Sequence, residues 1–162
     1  MVAFQSVVRQ FQTTGLPGEY ARDSPRIALP WILNSSGTDQ VIGNAFTYSS
    51  DGIATTGGTG VFLGILMSPK EHALIGDGSS ALLPSDIIAD DIVGTLATTA
   101  FVFVTISAIN NDGEVGTAVA YNTTTGAIVI GAPGGGELAI PGATVAVTDI
   151  LAVGLAIIQL QD

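Results

Sequence analysis

The chain has 162 residues, of which 47% are hydrophobic and only 11% charged, and its formal net charge is −10. This length is enough for one domain with a sizeable core and a small attached arm. The absence of cysteine excludes disulfides, thiol catalysis and cysteine zinc sites, and the acidity argues against a nucleic acid partner.

The first residues, "MVAFQSVVRQF", lack a basic stretch followed by an apolar run, so no secretory signal is expected. A short strand around Phe4–Phe11 is the one regular element predicted before residue 30. "GLPGEYARDSPRIALP", residues 15–30, then holds three of the seven prolines, Pro17, Pro25 and Pro30. Proline lacks an amide donor and is disfavoured in a central strand. Residues 1–30 therefore read as an extended arm and residues 31–162 as the body. Charge divides the same way. Residues 1–26 carry three arginines against two acids, a net of +1, and the remainder one lysine against twelve acids, a net of −11.

Beyond the arm, short segments rich in β-branched and aromatic residues predict strands at Val41–Tyr48, Val61–Met67, Ala100–Ile109, Val115–Tyr121, Ala127–Ile130, Ala143–Val147 and Leu151–Gln159. Turn clusters separate them: "SSDG", "TGGTG", "GDGSS", "NNDG", "NTTTG" and "GAPGGGE". "NNDG" predicts a tight hairpin between the strands on either side, and "YNTTTGAIVI" predicts a second one after it. Leu82–Val93 fits either one short helix opened by Pro84 or a charged loop. Ile92–Asn111 runs without a charge, but its alternating Thr and β-branched residues suit a strand better than a membrane-spanning helix, so no membrane partner is expected. Strands at this spacing predict an all-β fold, a single β-sandwich or β-barrel of jelly-roll or Greek-key type with an extended N-terminal segment.

No set of residues converges on catalysis. "GGTGVFLG", Gly57–Gly64, precedes an apolar strand, whereas a dinucleotide-binding loop needs a strand before it and a helix after it. "GAPGGGE", Gly131–Glu137, has no lysine to reach a phosphate and reads as a flexible connection. His72 beside Glu71 is the single histidine, and a zinc site usually takes two or three. Asp86, Asp90 and Asp91 lack the spacing of a calcium loop and read as a solvated acidic face, with a bound cation as the alternative. No enzyme activity, cofactor or metal is expected. Trp31 reads either as the core anchor where arm meets body or as a partner-facing anchor.

The order of these features resembles a known family. "FQTTGLPGEYARDSPRIALPWIL" contains a G-E-x-A-x-x-x-P-R segment at 18–26, and "GNAF" follows at 43–46. A "GTGVFLGI" strand comes at 58–65, and the hairpin "VGTAVAYNTTTG" at 115–126. Together they resemble the structural cement proteins of tailed phages, which decorate the outside of a capsid. The resemblance implies a non-enzymatic virion protein, made in the host cytoplasm, that binds the major capsid protein and bridges coat subunits. It also implies a homo-oligomer, dimer or trimer. The cations and aromatics in or beside the arm, Arg9, Phe11, Tyr20, Arg22, Arg26 and Trp31, are then the expected contacts with coat or neighbouring subunit. The arginines would meet acidic groups there or, alternatively, acids in their own chain. Another virion or surface β-module, such as a tail, spike or carbohydrate-binding domain, is the alternative function.

Overall fold

The computed structural model describes residues 17–22, 26–34, 41–50, 52–67, 93–110, 113–147 and 154–161. The expected strand at Phe4–Phe11, the 82–93 segment before Val93, His72 and the acids Asp86, Asp90 and Asp91 lie outside them. Among the described residues nine strands form in chain order: β1 (Ile27–Leu33), β2 (Ala45–Ser50), β3 (Ile53–Thr56), β4 (Phe62–Leu66), β5 (Val93–Ile109), β6 (Ala118–Asn122), β7 (Ile128–Ile130), β8 (Glu137–Val147) and β9 (Leu155–Leu160). Among the described residues no helix is long and apolar enough to cross a membrane. The fold is all-β, as the strand pattern predicts.

The sheet closes on itself twice. Its order is β1-β3-β2-β4-β5-β7-β6-β8-β9, with further pairings of β5 to β1 and to β9. Two five-strand rings result, and β5 belongs to both. Closure matters because an open sheet edge is a template for unwanted pairing. The first half of β5 pairs with β1 and β4, and the second half with β9 and β7.

Period-two alternation divides the apolar residues between two cores. Phe46, Leu66 and Leu96 turn into the first ring, where they meet Leu33, Ile42 and Ala54. Their neighbours Ala45, Ile65, Met67 and Ala97 turn the other way and join a larger core with Val102, Val104, Tyr121, Ile128 and Ile158. Continuing the alternation from Ala97 would send Phe101 inward. A β-bulge prevents this: Ile27 faces Thr99 while Ala28 faces Ala97, so Thr98 is the extra residue. The parity of β5 shifts there, and Ala100, Val102 and Val104 face the larger core.

Three sequence expectations need correcting. Strand β6 does not fold back on β5 across "NNDG"; β7 takes that place, parallel to β5 and antiparallel to β6. The run Ile128-Val129-Ile130 is buried throughout, which suits a strand with neighbours on both sides. The "YNTTTGAIVI" hairpin does form, with Tyr121 opposite Ile128. Second, "GAPGGGE" is a bonded turn. The Glu137 carboxylate accepts from the Gly134 amide at 2.7 Å and from Asn110 Nδ2 at 2.8 Å, and Asn110 also donates to the Ala132 carbonyl.

Third, Pro30 lies within a strand, opposite Thr95 of β5. The Asn34 amide donates to the Ala54 carbonyl at 2.8 Å, so Asn34 and Ile32 turn their backbone groups toward β3. By alternation Leu29, Trp31 and Leu33 turn theirs toward β5. Ala28 and Pro30 therefore point theirs away from β5, on the side where β3 pairs only with Ile32 and Leu33. Proline is tolerated there because no ladder bond needs its missing amide.

The two rings meet at a seam of backbone contacts. Ala45 donates to the Gly126 carbonyl at 2.8 Å, Gly57 to the Ala45 carbonyl at 2.9 Å and Gly58 to the Thr123 carbonyl at 2.6 Å. The Tyr121 hydroxyl donates to the Gly58 carbonyl at 3.1 Å, and Asn44 Nδ2 to the Thr125 carbonyl at 2.9 Å. Only glycine fits at two positions. A Cβ on Gly57 (φ +62°) would lie 2.6 Å from the Thr123 oxygen, and one on Gly126 (φ +70°) 2.6 Å from the Ala45 oxygen. Left-handed backbone costs an ordinary residue about 1–2 kcal/mol, and the clash adds to that. Thermal melts should show Gly57→Ala and Gly126→Ala losing at least about 2 kcal/mol. Gly52→Ala, with positive φ but open space around it, should lose only about 1 kcal/mol.

Burial pushes the Tyr121 phenol above its ordinary value. The unfolded chain ionises this group near pH 10, whereas the folded chain holds it neutral. Its contribution to stability is therefore complete below about pH 10 and lost as pH rises beyond it. Tyr121→Phe should cost about 1 kcal/mol at pH 7 for the lost hydrogen bond. It should also flatten the fall in melting temperature between about pH 9 and 11; an unchanged fall would remove Tyr121 as its source.

Candidate functional site

The described part of the arm lies along β5. Gly18 donates to the Phe103 carbonyl at 2.8 Å, Phe103 to the Glu19 carbonyl at 3.0 Å and Ala21 to the Phe101 carbonyl at 2.8 Å. Tyr20 thereby stands opposite Val102 in an isolated bridge, its half-buried ring packed on the edge of the larger core. Pro17 is buried and its Cβ would sit 3.0 Å from a Cβ placed on Gly43.

Both arginines are exposed and both sit on aromatic rings. Arg26 Cζ is 4.7 Å from the centre of the Tyr20 ring, and Arg22 Cζ is 5.4 Å from that of Phe101. The bulge at Thr98 produces this arrangement, because the parity it sets keeps Phe101 out of the larger core. Stacking of this kind stabilises an exposed pair by about 0.5–1 kcal/mol. Its main consequence is positional: a long, mobile side chain is held over a fixed ring. A stacked guanidinium retains planar N–H donors that match a carboxylate in two-point contact.

Strand β1 follows directly. Ile27, Leu29 and Ile32 are exposed along it, and Val93 is exposed opposite Ile32. Trp31 is half-buried against the smaller core and meets Tyr48 edge-on, with ring centres 6.4 Å apart. Its indole Nε1 is buried with no hydrogen-bond partner. Trp31 stands opposite Gly94, whereas Ile27 stands opposite Thr99, so the tryptophan lies about 13 Å along the strand from the arginine end.

Of the six residues expected from the sequence, Arg26 stacks on Tyr20 while Arg22 stacks on Phe101 instead, and Trp31 sits apart from them. Arg9 and Phe11 lie outside the described residues. Phe101, which carries Arg22, and the exposed Ile27 and Leu29 were missed by sequence reasoning. The doubled threonine at 98–99, which interrupts an otherwise alternating strand, is the signal from which the placement of Phe101 outside the larger core was legible. No cluster of metal-binding side chains occurs among the described residues.

The model of the structural cement protein family (E217 gp24/Pam3 gp6) matches residues 4–161. No curated protein matches. A chain in the solved structure of the capsid of Myoviridae phage XM1 has the same fold, with a TM-score of 0.68 and 18% identity over 99% of each chain. Matched over nearly its whole length, the chain belongs to the structural cement protein family, capsid-associated structural proteins of the phage virion and not an enzyme class.

Proposed function

We propose that the protein binds the outer surface of a phage capsid and stabilises the shell by bridging neighbouring subunits of the major capsid protein. It does so as a homo-oligomer, dimer or trimer. The observation that carries this reading is two cation–aromatic contacts: Arg22 and Arg26, exposed and stacked on Phe101 and Tyr20, on a chain whose net charge is −10. An acidic coat surface is repelled by most of such a molecule and attracted here. Trp31 contributes as the anchor at the far end of β1, and Arg9 and Phe11 extend the contact through the arm of residues 1–30.

A ligand that binds only the mature shell stabilises it by mass action. Each contact can be weak, because an oligomer touching several coat subunits at once gains effective concentration. The seam between the two rings suits the task, since a bridge transmits load only if its parts hold their relative positions.

Mixed with mature capsids that lack it and sedimented on a gradient, the protein should comigrate saturably, at a fixed ratio to coat protein. Absence of binding would sink the proposal. Arg22→Glu with Arg26→Glu should weaken attachment at least about tenfold, whereas unchanged affinity removes the arginines from the interface. The corresponding alanine variants should melt within about 1 kcal/mol of the parent, because each gives up only an exposed ring contact.

A further inference from the structure

We propose that the open side of β1 at Ala28–Pro30 is a docking edge, to which an extended, acid-bearing segment of the coat protein adds as a strand. This rests on the capsid-binding reading above and names where and how that contact is made.

The backbone phase of β1 defines the edge. Ala28 and Pro30 turn their polar groups away from β5, and β3 reaches β1 only at Ile32 and Leu33. That side offers one donor and two acceptors: the amide and carbonyl of Ala28 and the carbonyl of Pro30. Among the described residues β3 reaches none of the three, and the β5 ladder is met by Leu29 and Trp31 instead. Native proteins usually guard such an edge with charge or cover. Ile27–Leu33 carries no charge, and its side chains Ile27, Leu29 and Ile32 are 49%, 48% and 46% exposed. Strand addition draws affinity from main-chain bonds and specificity from side chains alternating along the edge, and β1 supplies both.

Pro30 shapes the edge further. Without an amide it permits one reciprocal pair, at Ala28, and a single bond to its own carbonyl. Pairing is therefore short and confined to few registers, which discourages runaway strand addition. Arg26 stands immediately before the edge and Arg22 beside it, both on rings. A segment with Asp or Glu at that end answers both arginines. A second copy pairing edge to edge is the poorer occupant, because its own β1 carries no acid to answer the arginines.

Hydrogen exchange on the full-length protein, free and bound to mature capsids lacking it, reads the edge directly. The Ala28 amide should exchange freely in solution and slow at least about tenfold on the capsid. Ala28→Pro removes the one donor at a position that needs none for folding, so the fold should persist while capsid affinity falls at least about tenfold. Raising salt from about 0.05 to 0.5 M should weaken the parent severalfold and an Arg22→Gln, Arg26→Gln variant much less. Parent protein that binds while Ala28 exchanges as freely as before overturns the edge and leaves capsid binding standing. Ala28→Pro binding as the parent does has the same meaning, and if that variant melts early the exchange rate alone decides. Equal salt slopes overturn the acidic character of the partner. Protection of Ala28 on concentrating the free protein, with a dimer in sedimentation, overturns the coat segment in favour of a second copy. Failure of the parent to comigrate at all takes down the capsid-binding reading itself.

Discussion

Strand β5 has to serve two closed rings with one stretch of backbone, and most of the molecule is arranged around that demand. Its 17 residues span about 50 Å, longer than either ring needs alone. On its way it pairs with β1 and β4, then with Gly18–Ala21 and β9, and finally with β7. A strand that long cannot keep one face inward in both rings unless its parity changes between them. Thr98 supplies the change, and Ala97 and Ala100 then face the same larger core although three positions apart.

Sharing a strand leaves the two rings free to bend about it, and the glycine seam removes that freedom. Ala45 bonds to both Gly57 and Gly126, and Tyr121 from the second ring reaches Gly58 of the first. These are backbone contacts at distances no Cβ would permit. Apart from the Tyr121 hydroxyl and the Asn44 carboxamide, they depend on main-chain geometry.

The composition and the surface agree with this architecture. Few charges are needed where threonine, asparagine and backbone groups satisfy one another, as in the Asn122 turn, whose carboxamide oxygen accepts from Thr124 at 2.9 Å and Thr125 at 3.0 Å. The charges that do occur are unevenly placed. The two described arginines are fastened to aromatic rings beside an uncharged strand.

Seven of the nine strands were legible in alternation and turn residues, as was the all-β class. Two were not: β1, because Pro30 reads as a strand breaker, and β3, because Ile53–Thr56 is four residues long and lies among turn signals. The first half of β5 was legible only as strand-like alternation within Ile92–Asn111, since "VGTLATT" is small and polar and gains its place from β1 and β4 on either side. Local chemistry determined which residues extend and where tight turns fall. Strand partners were decided elsewhere. Whether β6 or β7 lies beside β5, whether three glycines make a flexible loop or a turn held by Asn110 and Glu137, and whether arginines meet acids or rings all depend on residues distant in sequence. A turn signal acts over four residues, whereas a hydrogen bond or buried contact is settled only when the whole sheet closes, and that is what the tertiary structure alone decided.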